Sequence, residues 1–167
     1  MNIHSAARLL TVSAFAILGA VSAIAPATAT AADSHSHDAH AAVLKLNDGA
    51  RWQTDAALRT GMESIRGALA QALPEVHAGR FSTAQYQALG DSVEQQVGYI
   101  VQNCKLEPAA DEVLHAVIAD IGKGVDVIAG RAGGVEREQG VVHLVGALDA
   151  YASHFDHPGW KALETGH

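Results

Sequence analysis

Ten histidines, one cysteine and a single internal methionine carry most of the chemistry available to this 167-residue chain. The four that matter are Met62, Cys104, His115 and His154. Thiolate and thioether sulfur favour Cu(I), and imidazole serves either oxidation state of copper. Two imidazoles, a thiolate and a weaker thioether also make up the ligand set of electron-transfer copper sites, usually on β scaffolds. Zinc would accept the cysteine and histidines but gain little from methionine. One cysteine leaves no internal disulfide and no all-cysteine zinc centre. Each residue also has a plainer role. Met62 can fill core space, Cys104 can be a small buried hydrophobe, His154 a satisfied core histidine, and His115 can face solvent. No single residue argues for a metal; their coincidence at one end of the fold would.

Whether they meet depends on the elements that carry them. Four apolar stripes with helical spacing follow one another, and no strand alternation of useful length interrupts them. The first helix is expected from about Thr54, as its cap, to Leu73, with Pro74 as its stop. Its stripe is Leu58, Met62, Ile65, Leu69 and Leu73. The second begins near Ser82 or Thr83 and carries Tyr86, Leu89, Val93, Val97, Ile100 and Cys104. Glu107-Pro108 breaks it. The third begins near Ala109 with Asp111 and Glu112 in its first turn, where negative charge suits the helix dipole. Leu114, Val117, Ile118, Ile121, Val125 and Ile128 form its stripe, and Gly130 to Gly134 end it. The fourth runs from about Val135 to Phe155 through Leu144, Leu148 and Tyr151, and Pro158-Gly159 stops it. Short connections predict an all-α, antiparallel up-down-up-down four-helix bundle over residues 46–167.

In that connectivity the first helix's start, the second's end, the third's start and the fourth's end share one end of the bundle. Met62, Cys104, His115 and His154 then supply one ligand from each helix, with axial offsets on the order of 5–10 Å at 1.5 Å per residue. Trp52 and Trp160 map to the same end, as an apolar lid or as plugs for the chain ends, with Asp156 or His157 as partners behind the ligands. His77 and His143 map elsewhere and read as structural or solvated.

Composition sets the surroundings. Met1 to Arg8, an apolar run from Leu9 to Ala25, Pro26 and the Ala-Thr-Ala repeats at 27–31 read as a secretory signal peptide over 1–32. The expected location is a bacterial periplasm, where a free thiol is a liability unless buried or metal-bound. Residues 33–45 form a flexible His-rich tail. A cut after Ala32 would leave Asp33-Ser34-His35, whose amine, amides and imidazole suit square-planar Cu(II) or Ni(II), with His37 and His40 as looser donors. The net charge of −7 argues against nucleic acid or an anionic membrane as the main partner. After signal cleavage no second apolar stretch spans a bilayer. No serine triad, phosphate loop or carboxylate pair points to an enzyme.

Three stretches, LNDGARWQTDAALRTGMESIR (46–66), NCKLEPAADEVLHAVIADI (103–121) and YASHFDHPGW (151–160), resemble a group of small secreted bacterial helical proteins associated with copper and heavy-metal resistance. The resemblance covers most of the mature chain and implies a periplasmic metal-associated role. Architecture alone is also similar to the periplasmic four-helix b-type cytochromes, whose axial Met lies early in the first helix and axial His late in the last. Met62 in LRTGMESIRGAL and His154 in DAYASHF fit that layout. Covalent haem does not fit, because Cys104 is followed by Lys105 and no C-x-x-C-H exists.

The leading expectation is a periplasmic copper-binding protein that sequesters or transfers the ion, or passes electrons, through Met62, Cys104, His115 and His154. A copper-handling or redox protein would be its partner. The alternatives are a non-covalent haem b carrier using Met62 and His154, and a metal-free structural or partner-binding bundle.

Overall fold

A computed structural model describes residues 44–164. The expected leader (1–32) and nearly all of the His-rich tail, with His35, His37 and His40, lie outside the described residues. Among the described residues four helices follow in order: α1 (Ala56–His77), α2 (Thr83–Asn103), α3 (Pro108–Ala129) and α4 (Arg137–His154). The chain is mostly all-α. α1 packs on α2, α2 on α3, α3 on α4, and α4 back on α1, as in a four-helix bundle. Among the described residues no helix is long and apolar enough to cross a membrane.

The stripes read from the sequence are the core. Leu58, Met62, Ile65, Leu69, Val93, Ile100, Ile121, Ile128, Leu144, Tyr151 and Phe155 are all fully buried. Val97, Cys104 and Ile118 close the edge of that core and stay half-buried. α3 and α4 approach most closely through two glycines. A Cβ on Gly140 would stand 2.8 Å from the carbonyl oxygen of Gly124, and one on Gly124 would stand 2.7 Å from Leu144 Cγ.

Both boundaries of α1 differ from expectation, each for a visible reason. Thr54 does not cap α1, because its hydroxyl donates to the Asp156 carbonyl at 2.7 Å. Asp55 caps instead, with Oδ1 accepting from Leu58 N at 2.7 Å. Pro74 does not stop α1. It is exposed and sits in the last turn, so its ring costs one backbone bond, and Val76 beyond it still reaches the core. At the other caps local chemistry sets the boundary. Ser82 and Gln85 form a capping box on α2, Pro108 opens α3, and Gly130 ends it at φ +79°.

α4 stops one residue earlier than expected because Phe155 turns extended. Phe155–Asp156 (β2) pairs in parallel with Trp52–Gln53 (β1), Trp52 opposite Phe155. Just before β1, Asn47-Asp48-Gly49 makes a tight turn with positive φ at Asp48 and Gly49, closed by reciprocal bonds of 2.8 Å between Asn47 and Ala50.

Candidate metal site

Several chain segments are tied together where α1 begins. Asp55 is the hub. Its Oδ1 caps α1, its Oδ2 accepts from Lys105 N at 2.6 Å, and it also accepts from the Cys104 thiol. Lys45, before α1, reaches Glu112 of α3 at 3.4 Å, and the β1–β2 pair joins the start of α1 to the end of α4. The start of α1, the end of α2, the start of α3 and the end of α4 therefore lie together.

Partial burial opposes ionisation of Asp55. The bonds from Leu58 N, Lys105 N, the Cys104 thiol and Ala57 N outweigh it and hold the carboxyl below its usual value. The effect on Cys104 is the reverse. Burial, and then the charge of Asp55 and the hydrogen bond to it, push the thiol up to about 12. Cys104 is a protonated, half-buried thiol at the C-cap of α2, donating to a carboxylate.

Cys104 shares a cavity of about 180 Å³ with His115 and Asp111 of α3, over an apolar floor that includes Ile100, Leu114 and Ile118. His115 is the exposed wall, its side chain 69% accessible. Its Nδ1 lies 2.8 Å from the Asp111 carbonyl oxygen, with the Asp111 carboxylate at 3.4 Å. A carbonyl only accepts, so the bond requires a proton on Nδ1; in the neutral ring this leaves the Nε2 lone pair for a metal. His154 is built the same way: Nδ1 donates to the Ala150 carbonyl at 2.7 Å.

Neither His154 nor Met62 lines the Cys104–His115 cavity. Met62 is fully buried within the aliphatic core, the position of a packing residue. Among the described residues no three His, Cys, Asp or Glu side chains gather to hold a metal ion. Of the four expected ligands, Cys104 and His115 share this cavity, Met62 is packed in the core and His154 lies outside the cavity lining. A thiol and an imidazole remain, a donor set that suits a soft ion of low coordination number. The haem layout fits poorly. A porphyrin ligated by Met62 needs open space beside it, and Met62 is sealed among Leu58, Ile65 and their neighbours.

The tryptophans are plugs. Trp52 is buried, its Nε1 donating to the Lys45 carbonyl at 2.7 Å. Trp160 packs on Tyr151 and on His157, each with ring centroids 5.0 Å apart. His157 bonds the Tyr151 hydroxyl at 2.8 Å through Nδ1 and stands behind no ligand. His77 and His143 are exposed. The sequence reading overlooked Asp55, although Thr54-Asp55 offers two capping residues side by side. It read Asp111 only as a first-turn charge, although its spacing of four from His115 is that of a helix-face pair.

No protein-family model, curated protein or solved structure matches this chain.

Proposed function

We propose that this chain is an exported copper-binding protein of the bacterial periplasm, its four helices running up-down-up-down and antiparallel, and that it takes Cu(I) at Cys104 and His115. It acts as a carrier or sink for the ion and exchanges it with a copper-handling partner; it is not an enzyme. One observation carries the reading: a thiol from the end of α2 and an imidazole from α3, in its ligating tautomer, line one cavity. The resemblance of 103–121 and 151–160 to secreted copper-resistance proteins points the same way.

The chemistry at the pair is a proton exchange. Copper forms a bond to Cys104 Sγ, and the thiol proton leaves to water, since Asp55 is held ionised. A thiol raised to about 12 does not ionise unaided near neutrality, so uptake releases one proton per ion and tightens as pH rises. His115 Nε2 supplies the second donor, and Asp111 holds its ring in place.

Competition titration of Cu(I) against a chromophoric chelator tests this. The account predicts a one-to-one complex that Cys104→Ala abolishes and His115→Ala weakens by at least about tenfold, the range for loss of a ligand's support or more. Replacing His35, His37 and His40 by Ala should leave it intact. If Cys104→Ala and His115→Ala both keep full affinity, the pair is not the site.

A further inference from the structure

The described chain begins at Leu44, at the end of the bundle that holds the Cys104–His115 cavity. Three contacts fix that point. Leu44 packs half-buried against the core, the Lys45 carbonyl accepts from Trp52 Nε1 at 2.7 Å, and Lys45 Nζ lies 3.4 Å from the Glu112 carboxylate of α3. The ion pair is exposed and adds little energy, so Leu44 and Trp52 do the holding. Glu112 precedes His115 by three positions, which sets their Cβ atoms about 5–6 Å apart on one helix face. Lys45 is therefore one ion pair and one helical turn from the exposed wall of the cavity. That side is open: His115 is exposed, and Val101, which also lines the cavity, is 63% accessible. Upstream, and outside the described residues, DSHSHDAH places His40, His37 and His35 four, seven and nine residues before Leu44. Extended backbone covers about 3.3–3.6 Å per residue, so His40 can range about 13–14 Å from Leu44 and His35 about 30 Å.

We propose that the segment carrying His35, His37 and His40 is a loading arm, whose imidazoles capture Cu(I) and pass it directly to Cys104 and His115. The inference rests on the copper reading of that pair and says how the ion arrives there. Imidazole serves either oxidation state of copper whereas thiolate favours Cu(I), so the ion runs from nitrogen to sulfur. In the transfer a bond from copper to Cys104 Sγ forms and a bond from copper to an arm imidazole breaks; no electron changes hands. His115 Nε2 takes the second position. The Cys104 S–H proton leaves to the freed imidazole and from it to water. Asp55 keeps its bonds from Leu58 N and Lys105 N throughout. A donor tethered this closely meets the cavity at an effective concentration in about the mM range, far above that of a free donor at equal amount. Once the ion is seated the arm holds no bond to it, so the arm sets the rate of loading and not the final affinity.

The test is stopped-flow loading of the full chain with Cu(I) offered as its complex with a chromophoric chelator, read by the loss of the chelator's colour. Replacing His35, His37 and His40 together by Ala should slow loading at least about tenfold, while the final affinity stays that of the unaltered chain. A free peptide of residues 33–43, added to that variant at about 10 µM, should not restore the rate, because the tether supplies about the mM range. Cys104→Ala tells the arm and the site apart. If it keeps full affinity, the pair is not the site and the arm has nothing to load. If it loses the ion while the triple variant loads as fast as the unaltered chain, the site stands and the arm is overturned. The arm is overturned as well if the triple variant loses about tenfold in equilibrium affinity, which would make one of these histidines a standing ligand. It is equally overturned if the free peptide restores loading in full, which would make the tether irrelevant.

Discussion

Asp55 joins three things through one carboxylate: the first turn of α1, the backbone after α2, and the only thiol in the chain. Its removal strips a cap and leaves the Lys105 amide and Cys104 thiol without their acceptor. Asp55→Ala should cost about 1–2 kcal/mol, the upper range for a lost cap, measured by urea denaturation. The sign of the pH effect follows from the direction of the shift. The folded carboxyl lies below its ordinary value of 3.8, so its contribution is present above that value. It is lost as pH falls through the lower folded one. The same carboxylate keeps Cys104 quiet. With its thiol at about 12, Cys104 should react with iodoacetamide near neutral pH at least about tenfold more slowly than an exposed cysteine, because the thiolate is the nucleophile. Asp55→Asn should speed that reaction by removing the adjacent charge. A Cys104 as fast as free cysteine would show the thiol to be outside the environment described.

Among the elements, the contact between α3 and α4 is the most demanding. A Cβ at Gly140 would meet the Gly124 carbonyl oxygen and the Ile128 amide nitrogen, both at 2.8 Å, and backbone cannot swing aside as a side chain can. Gly140→Ala should therefore destabilise by about 1–3 kcal/mol, as overpacking does. Gly67→Ala is the control. It lies inside α1 with nothing within 4 Å of its Cβ position, so it should stabilise by roughly 0.5–1 kcal/mol. Thermal unfolding of both variants checks the contrast. At this scale much of the fold was legible: the stripes that became the core repeat every three or four residues, and Ser82, Pro108 and Gly130 are punctuation that local chemistry explains. The boundary at Pro74 was not legible, because tolerance of proline in a last turn depends on what Val76 can reach. Neither was the β1–β2 pair. Two residues on each side leave no alternation to read, and their partnership joins residues 52 and 155, a separation no local pattern spans. For the candidate site, the helix positions of Met62, Cys104, His115 and His154 were legible from the stripes and breaks. Which of them turn toward one another was not, because that depends on side-chain direction. Met62 shares its stripe with Leu58 and Ile65 and goes inward with them.

For the whole molecule, a ligand that binds only the folded chain adds stability by mass action. Free Cu(I) held at 100 times its dissociation constant should raise the unfolding free energy by about 2.7 kcal/mol, and Cys104→Ala should erase that gain. The arrangement that makes this coupling direct is the meeting of chain segments around the start of α1. A Cu(I) ion held at Cys104 would lie one hydrogen bond from the cap of α1. The most direct measurement of the central claim is copper-edge X-ray absorption of the full chain loaded with one equivalent of Cu(I). The account predicts one sulfur and one imidazole nitrogen in the first coordination shell, with the sulfur lost in Cys104→Ala. A shell made of nitrogen and oxygen alone, unchanged in Cys104→Ala, would contradict it.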